Sequence, residues 1–160
     1  MKIDTIFIDM DGVIADFEKR YKEKFRVTPE ETRNNKEFGG YFKKFIDDGE
    51  FSTLDLMPDA TELLDFVSQL DAPKEILSST ARPDSHGLIA PQKQFWLNKH
   101  KIQYKANFVP GKTLKYKYAT PNSIIIDDTK SVIDDWNEAG GIGILHTDAK
   151  STIAMLKMYM

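Results

Sequence analysis

Short apolar runs alternate along the chain with segments whose apolar residues repeat at helical spacing. The runs are rich in isoleucine, leucine and valine, which is typical of buried strands. They predict strands at residues 6–8, 74–79, 106–109, 123–127 and 142–145. The helical spacing predicts helices at residues 60–70, 91–100, 131–139 and 153–159, and a helical turn at 113–119. Alternating strands and helices favour a Rossmann-like α/β fold, in which a parallel sheet with right-handed crossovers carries helices on both faces.

Residues 17–57 interrupt this alternation, because they contain no convincing strand. Their aromatic residues instead follow helical spacing, as in Phe17, Tyr21 and Phe25. We therefore predict a core formed by residues 1–16 and 58–160, with a small helical insertion after the first strand, the cap segment (residues 17–57). An insertion at that point could cover a site at the end of the strand and exclude water from it.

Length, charge and composition narrow the possible function classes. A chain of 160 residues fits one domain with a small insertion. The net charge of -3 disfavours nonspecific nucleic-acid binding, which usually needs a basic excess. The absence of cysteine excludes disulfides and a thiolate nucleophile. No segment has signal-peptide character or the length of a membrane span, so we expect a soluble cytoplasmic protein without a membrane partner.

Two of the predicted strands end in paired carboxylates. Asp9 and Asp11 follow the first strand, and Asp127 and Asp128 end the strand of three isoleucines. Open α/β sheets bind ligands at the carboxyl ends of their strands, and carboxylates a few Å apart repel unless a cation or a shared proton relieves them. An Asp-rich turn or a helix cap would explain either pair alone, but not both. If the two strands are neighbours, four acidic groups converge and favour a hard cation such as Mg²⁺.

Hydroxyl groups and lysines extend this pattern. The strand at 74–79 leads into Ser78, Ser79 and Thr80, whose hydroxyl groups suit phosphoryl oxygens, although such residues are also ordinary at strand ends. Three lysines, at positions 112, 115 and 117, precede the strand at 123–127. One of them could balance the charge of an acidic site, and the others would be solvated surface residues.

In this order the motifs resemble those of the haloacid dehalogenase (HAD) superfamily of phosphotransferases. The matching residues are Asp9-Met10-Asp11-Gly12-Val13, Ser79, a lysine, and Ile126-Asp127-Asp128. Within that superfamily, residues 9–17 and 51–58 are similar to segments of the 5'(3')-deoxyribonucleotidase family. The resemblance spans residues 3–145 and implies an HAD-like core carrying a cap.

The resemblance implies a role for each acidic residue. Asp9 would be the nucleophile that forms an aspartyl-phosphate, and Asp11 the general acid and then the general base. A carboxylate oxygen of Asp9, the backbone carbonyl of Asp11 and the carboxylate of Asp128 would bind Mg²⁺. Asp127 would not bind the cation itself but would orient Asp128 or the lysine.

The resemblance also implies cationic contacts with the phosphoryl group. Lys117 stands ten residues before Asp127, which is the family's spacing, so it is favoured over Lys115 and Lys112 as the lysine that neutralises the transition state. Lys93 lies three residues before a tryptophan, as a family lysine does, and is a second expected phosphate contact.

Four further positions concern the substrate. Ser79 and Thr80 would bind phosphoryl oxygens, with Ser78 as the alternative for a register shift of one residue. Phe17 falls on a family position that lines the nucleoside pocket, where a phenyl ring can stack on a base, and a core phenylalanine is the alternative. The chain departs from the family pattern at the second strand, where Ser79-Thr80-Ala81 replaces Thr-Ser-Pro.

The implied function is that of a Mg²⁺-dependent phosphomonoesterase acting on a small-molecule phosphomonoester, namely a (deoxy)ribonucleoside monophosphate. Three alternatives stay open. The substrate could be a sugar phosphate or the 3'-phosphate end of a nucleic acid, or the protein could be a catalytically idle nucleotide-binding module. The aromatic cap segment could also be the surface of a homodimer.

Overall fold

The computed structural model describes residues 1–33 and 35–160, and a five-stranded sheet forms its centre. The strands are β1 (Thr5–Ile8), β2 (Lys74–Ser79), β3 (Lys105–Val109), β4 (Ser123–Asp127) and β5 (Ile142–Leu145). Every neighbouring pair is parallel, and the order β3-β2-β1-β4-β5 places the first strand in the middle. The predicted Rossmann-like parallel sheet is therefore confirmed.

Seven α-helices and three 3-10 helices occupy the described parts of the chain. The α-helices are α1 (Phe17–Phe25), α2 (Pro29–Thr32), α3 (Tyr41–Asp47), α4 (Ala60–Ser68), α5 (Pro83–Lys99), α6 (Lys130–Glu138) and α7 (Ala149–Lys157). The 3-10 helices are Lys36–Phe38, Glu50–Ser52 and Lys112–Tyr118. None of the helices in residues 1–33 and 35–160 is long and apolar enough to cross a bilayer.

The pleat of the strands separates two hydrophobic clusters, one on each face of the sheet. Ile6 and Ile8 of β1 belong to the larger cluster, with side chains of α4, α5, α7 and the cap segment. Phe7 points the other way, into a smaller cluster with α6. This alternation is the period of two that a strand imposes on its side chains, and it confirms that helices cover both faces.

The crossover after β2 differs from the sequence prediction. A helix was expected to begin at Pro91, but α5 begins at Pro83 and continues through Pro91 to Lys99. The first proline occupies the first turn, where its missing N–H costs nothing, whereas the second lies in the helix interior. In the first half of α5 the buried face includes the polar Ser85 and the helix contains Gly87, so the apolar periodicity there is weak.

The cap segment enters and leaves the core at one place. Ala15 and Leu56 form an antiparallel bridge, and the N–H of Asp16 donates to the carbonyl of Asp55 at 2.9 Å. The segment contains α1, α2, α3 and two of the 3-10 helices. Its aromatic rings contact one another, among them Phe17, Tyr21, Phe25, Tyr41, Phe42, Phe45 and Phe51. Its treatment as a separate domain stays a prediction.

Side chains of α5 hold the returning part of the cap segment through its backbone. The amide of Gln92 donates to the carbonyl of Ile46 at 2.9 Å and accepts from the N–H of Phe51 at 3.1 Å. The indole of Trp96 donates to the carbonyl of Leu54 at 2.6 Å. The segment is therefore anchored to the crossover helix as well as to the loop after β1.

We expect Trp136→Ala to lower the free energy of unfolding by about 3–5 kcal/mol, because a large aromatic side chain is lost from a packed site. Trp136 is fully buried, contacts Phe7 edge-to-face at 5.4 Å between ring centroids, and donates to the carbonyl of Ser123. Urea unfolding is the measurement. Phe95→Ala is the control, because Phe95 is 59% exposed and its loss should change stability by less than about 0.5 kcal/mol. Equal effects of the two substitutions would contradict the packing described for the smaller cluster.

Candidate active site

The pairing of β1 with β4 brings the two acidic pairs together. Ile8 lies opposite Ile126, and the N–H of Asp9 donates to the carbonyl of Ile126 at 3.0 Å. Ligand oxygens of Asp9, Asp127 and Asp128 lie within 4.8 Å of one another. Three of the four acidic groups expected to converge therefore do so at the carboxyl ends of the two central strands, and Asp11 is not part of this group.

A tight loop after β1 makes room for Asp128. The carbonyl of Met10 accepts hydrogen bonds from the N–H groups of Val13, Ile14 and Ala15, and Gly12 has a φ of +84°. A Cβ atom on Gly12 would lie 2.0 Å from Oδ2 of Asp128. Glycine is thus required both by the left-handed backbone and by the approach of the carboxylate.

A buried lysine bridges the two strand ends, and it is Lys115. Its Nζ lies 3.0 Å from Oδ1 of Asp9 and 2.7 Å from Oδ2 of Asp127, and the residue is only 2% exposed. The sequence interpretation favoured Lys117, which is exposed to solvent. The assignment is therefore corrected to Lys115. The physical reason is that side chains two positions apart on a helical turn point to different sides, and here position 115 faces the sheet.

Burial and mutual repulsion shape the ionisation of this cluster. Burial, with the charge of Asp9, raises the pKa of Asp127 to about 6, although Lys115 opposes the shift. Loss of hydration and the charges of Asp9 and Asp127 raise the pKa of Asp128 to about 7. Burial alone would lower the pKa of Lys115, but the two carboxylates outweigh it and raise that pKa above its ordinary value.

The donor set fits a hard divalent cation such as Mg²⁺, which prefers carboxylate oxygens. Both oxygens of Asp127 are occupied, one by Lys115 and the other by the N–H of Thr129 at 2.9 Å. Asp128 is exposed, and its carboxylate lies against Gly12 in space that only a glycine leaves open. Asp9 and Asp128 are therefore the carboxylates best placed to hold a cation, with Asp127 behind them.

Asp11 lies beside a second buried lysine, which comes from α5. Nζ of Lys93 donates to Oδ2 of Asp11 at 3.0 Å, to Oγ of Ser78 at 2.7 Å and to the carbonyl of Ser79 at 2.9 Å. Burial raises the pKa of Asp11, the charge of Lys93 opposes this, and the charge of Asp9 adds to it. Lys93 was expected to contact substrate phosphate, which stays a prediction, and in the structure its three donors are engaged inside the protein.

The loop after β2 separates the three expected hydroxyl groups. Ser79 is half-buried, and its Oγ accepts from the N–H of Ala81 at 3.1 Å, which leaves its O–H free to donate. Ser78 is fully buried against Lys93. Thr80 is also fully buried, and its Oγ1 contacts the carbonyl of Val109 and a ring nitrogen of a histidine, so its expected contact with substrate is corrected. Ala81 has a φ of +73°, which a proline cannot adopt, and this accounts for the departure from Thr-Ser-Pro.

Phe17 lines a cavity of about 610 Å³ between the cap segment and the start of α5. Its ring also stacks on Phe51, with centroids 5.4 Å apart and planes 10° apart. The described lining combines aromatic rings and cations, and contains no acidic residue. It includes Tyr21, Phe38 and Phe42, together with Arg33, Lys36 and Arg82. Phe17 is thus partly a packing residue and partly a wall of an open pocket.

Sequence reasoning grouped Asp9, Asp11, Asp127 and Asp128, and the roles it gave them stay predictions. Lys115 was considered and ranked below Lys117, and Lys93 was expected to face substrate. The partners of the two lysines depend on how residues 112–118 and α5 pack against the sheet, which spacing along the chain does not reveal.

Solved structures of HAD hydrolases share this fold. A hydrolase from Pseudomonas syringae aligns with a TM-score of 0.61 and 13% identity, over 99% of this chain and 100% of that one. A magnesium-bound HAD hydrolase from Bacillus subtilis aligns with a TM-score of 0.57 and 12% identity, over 89% of this chain and 86% of that one. A D,D-heptose 1,7-bisphosphate phosphatase from Burkholderia thailandensis aligns at 0.54 and 8% identity, over 96% and 98%. No family model and no curated protein matches the sequence. The likeness identifies the fold as an HAD-like α/β fold.

We expect Lys115→Met to lower the free energy of unfolding by about 3 kcal/mol at pH 7, because two buried carboxylates lose their counter-charge. The deficit should shrink toward pH 5. Unpaired carboxylates take up protons more readily in the folded state than in the unfolded chain, so falling pH restores stability. Urea unfolding at both pH values measures this.

Lys117→Met is the matched control, since it removes the same group two residues away from an exposed position. It should change stability by less than about 0.5 kcal/mol. A larger loss from Lys117→Met than from Lys115→Met would contradict the corrected assignment.

Proposed function

We propose that this protein is a Mg²⁺-dependent phosphomonoesterase that works through an aspartyl-phosphate. The observation that carries the proposal is the placement of Asp9. Its carboxylate stands at the end of the central strand, with Oδ1 held 3.0 Å from the buried ammonium of Lys115 and with Asp128 alongside. A carboxylate held in place by a buried ammonium group at the end of a strand is suited to attack a phosphoryl group.

Two displacements complete the reaction. In the first, a carboxylate oxygen of Asp9 attacks phosphorus, the bond to the leaving oxygen breaks, and Asp11 gives that oxygen a proton. In the second, Asp11 takes a proton from water, whose oxygen attacks the phosphorus of the aspartyl-phosphate. Inorganic phosphate leaves, and the carboxylate of Asp9 and the proton on Asp11 are restored.

The remaining residues hold the phosphoryl group and the cation. Lys115 and the free O–H of Ser79 donate to phosphoryl oxygens. Carboxylates of Asp9 and Asp128 and the backbone carbonyl of Asp11 would hold Mg²⁺. When bound, that ion offsets the repulsion between the attacking carboxylate and an anionic substrate.

The preferred substrate is a (deoxy)ribonucleoside monophosphate. The opening motif through Phe17 resembles that of the 5'(3')-deoxyribonucleotidases, and the cavity lined by Phe17 offers aromatic faces on which a base can stack. The cations of that cavity favour an anionic ligand. We further propose that the cap segment forms the roof of this pocket and that the protein acts in the cytoplasm.

A sugar phosphate is the second candidate substrate. It is favoured by one structural neighbour, whose name gives D,D-heptose 1,7-bisphosphate as its substrate. An idle nucleotide-binding module is disfavoured, because such a protein would have no need for Asp9, Asp11, Asp128 and Lys115 together. A panel of nucleoside and sugar monophosphates, assayed for phosphate release with Mg²⁺ and with excess EDTA, separates the three.

We expect Asp9→Asn to lower turnover by at least about 1,000-fold, because the amide cannot form the aspartyl-phosphate. The fold should persist, since asparagine keeps the shape of the side chain and removes one of several repelling charges. The assay is release of phosphate from p-nitrophenyl phosphate with Mg²⁺. Asp134→Asn, on the exposed side of α6, is the control and should leave the rate unchanged. Wild-type turnover in Asp9→Asn would refute the nucleophile.

We expect Phe17→Ala to raise KM for nucleoside monophosphates by about tenfold, since base stacking contributes about 1–3 kcal/mol. The KM for p-nitrophenyl phosphate should change little, because that substrate carries no base. Steady-state kinetics on both substrates provide the measurement. If both KM values rise equally, Phe17 acts through packing with Phe51 and not through the base.

A further inference from the structure

Lys93 is a buried charge for which the proposed reaction assigns no step. The residue is 2% exposed and lies on the core-facing side of α5, with Ile89 and Trp96. An ammonium group at such a position loses its hydration, which is costly unless charged and polar partners replace water. Its partners therefore indicate what it does.

The ammonium of Lys93 has no donor left for a substrate. Its three N–H groups match its three acceptors, which are Oδ2 of Asp11, Oγ of Ser78 and the carbonyl of Ser79. Two of these acceptors belong to the end of β2, a rigid element of the sheet. Lys93 thus ties Asp11, which lies on the loop after β1, to the neighbouring strand.

The other oxygen of Asp11 makes no such contact. Oδ1 is buried and has no hydrogen-bond partner among the described residues. The orientation of the carboxyl group is therefore set by the contact of Oδ2 with Lys93 alone. A freely rotating carboxylate would have to be ordered anew in each turnover, at a cost in entropy.

We propose that Lys93 is the positioning residue of the acid–base group, holding the carboxyl group of Asp11 through Oδ2 in the orientation in which it gives and takes the catalytic proton. The inference rests on the proposed phosphatase function. In the first displacement the proton passes from the carboxyl group of Asp11 to the leaving oxygen as the P–O bond breaks. In the second, the same group takes a proton from the attacking water.

The same lysine connects Asp11 to the cap segment. Nζ lies 5.3 Å from the centroid of the Phe51 ring, in cation–π range. The adjacent Gln92 hydrogen-bonds the backbone of Phe51 and Ile46. The position of the acid–base carboxylate therefore depends on how the returning part of the cap segment docks on α5.

The test compares two esters that differ in their need for an acid. p-Nitrophenolate leaves without protonation, whereas the alkoxide of benzyl phosphate must be protonated as it leaves. We expect Lys93→Met to lower kcat for benzyl phosphate by about 100-fold and for p-nitrophenyl phosphate by less than about 5-fold, with KM for both changed less than about twofold. Lys93→Arg should recover part of the loss. Lys99→Met, on the exposed end of α5, is the control and should match wild type.

A double-mutant cycle with Asp11→Asn checks that Lys93 acts through Asp11. In the Asp11→Asn background, Lys93→Met should have no further effect on kcat for benzyl phosphate. The free energies of unfolding in urea should likewise be non-additive, a readout that does not need turnover. Lys93→Gln, which keeps a polar side chain, replaces Lys93→Met in both measurements if the latter does not fold.

Three results would overturn the proposal. Equal losses of kcat on the two esters in Lys93→Met would indicate general structural damage. A rise in KM without a loss of kcat would indicate that Lys93 contacts the phosphate directly. Additive effects in the double-mutant cycle would show that Lys93 and Asp11 act independently. If the wild-type protein hydrolyses neither ester with Mg²⁺, the phosphatase function itself fails, and the catalytic role of Lys93 fails with it. An active wild type without ester selectivity in Lys93→Met removes only the positioning role.

Discussion

One ammonium group allows two buried strand ends of like charge to lie side by side. The register of β1 and β4 places Asp9 next to Asp127, where two carboxylates in a poorly hydrated setting repel strongly. Nζ of Lys115 lies within 3.0 Å of an oxygen of each and offsets that repulsion. Because β1 is the central strand, this contact lies at the middle of the sheet. The exposed Asp128 is left free for a ligand.

The pleat of the sheet explains why two lysines are needed. Asp9 and Asp127 lie on the same face of the sheet as Phe7 and Ile125. Their counter-charge, Lys115, therefore comes from the 3-10 helix that covers this face. Ser78 continues the opposite face, that of Ile76, and meets Lys93 from α5 on the larger cluster's side. Asp11 lies on the loop after β1, and its charge partner is Lys93, which comes from the side of the larger cluster. The carboxylates at the ends of β1 and β4 are thus neutralised by one lysine from each face of the sheet.

The sheet and its acidic ends were predictable because each strand carries its own signal. The apolar runs at 74–79 and 123–127 are bounded by turn residues, and their first and last residues coincide with those of β2 and β4. The contacts of Lys93 and Lys115 were not predictable, because both residues lie on helices whose apolar periodicity is weak. Lys115 and Lys117 lie two positions apart on the 3-10 helix, and counting residues back from Asp127 cannot detect which of them faces the sheet. The first half of α5 carries the buried polar Ser85 and an internal Gly87, which conceal its helical pattern.

The three hydrogen bonds from α5 to residues 46–54 all end on main-chain atoms. Gln92 and Trp96 therefore recognise the backbone path of that stretch, while its buried side chains Ile46, Phe51 and Leu54 pack into the larger cluster. The exposed cations that line the cavity, Arg33, Lys36 and Arg82, lie outside this attachment. Laboratory libraries aimed at new substrates can therefore vary these three positions and leave the attachment intact.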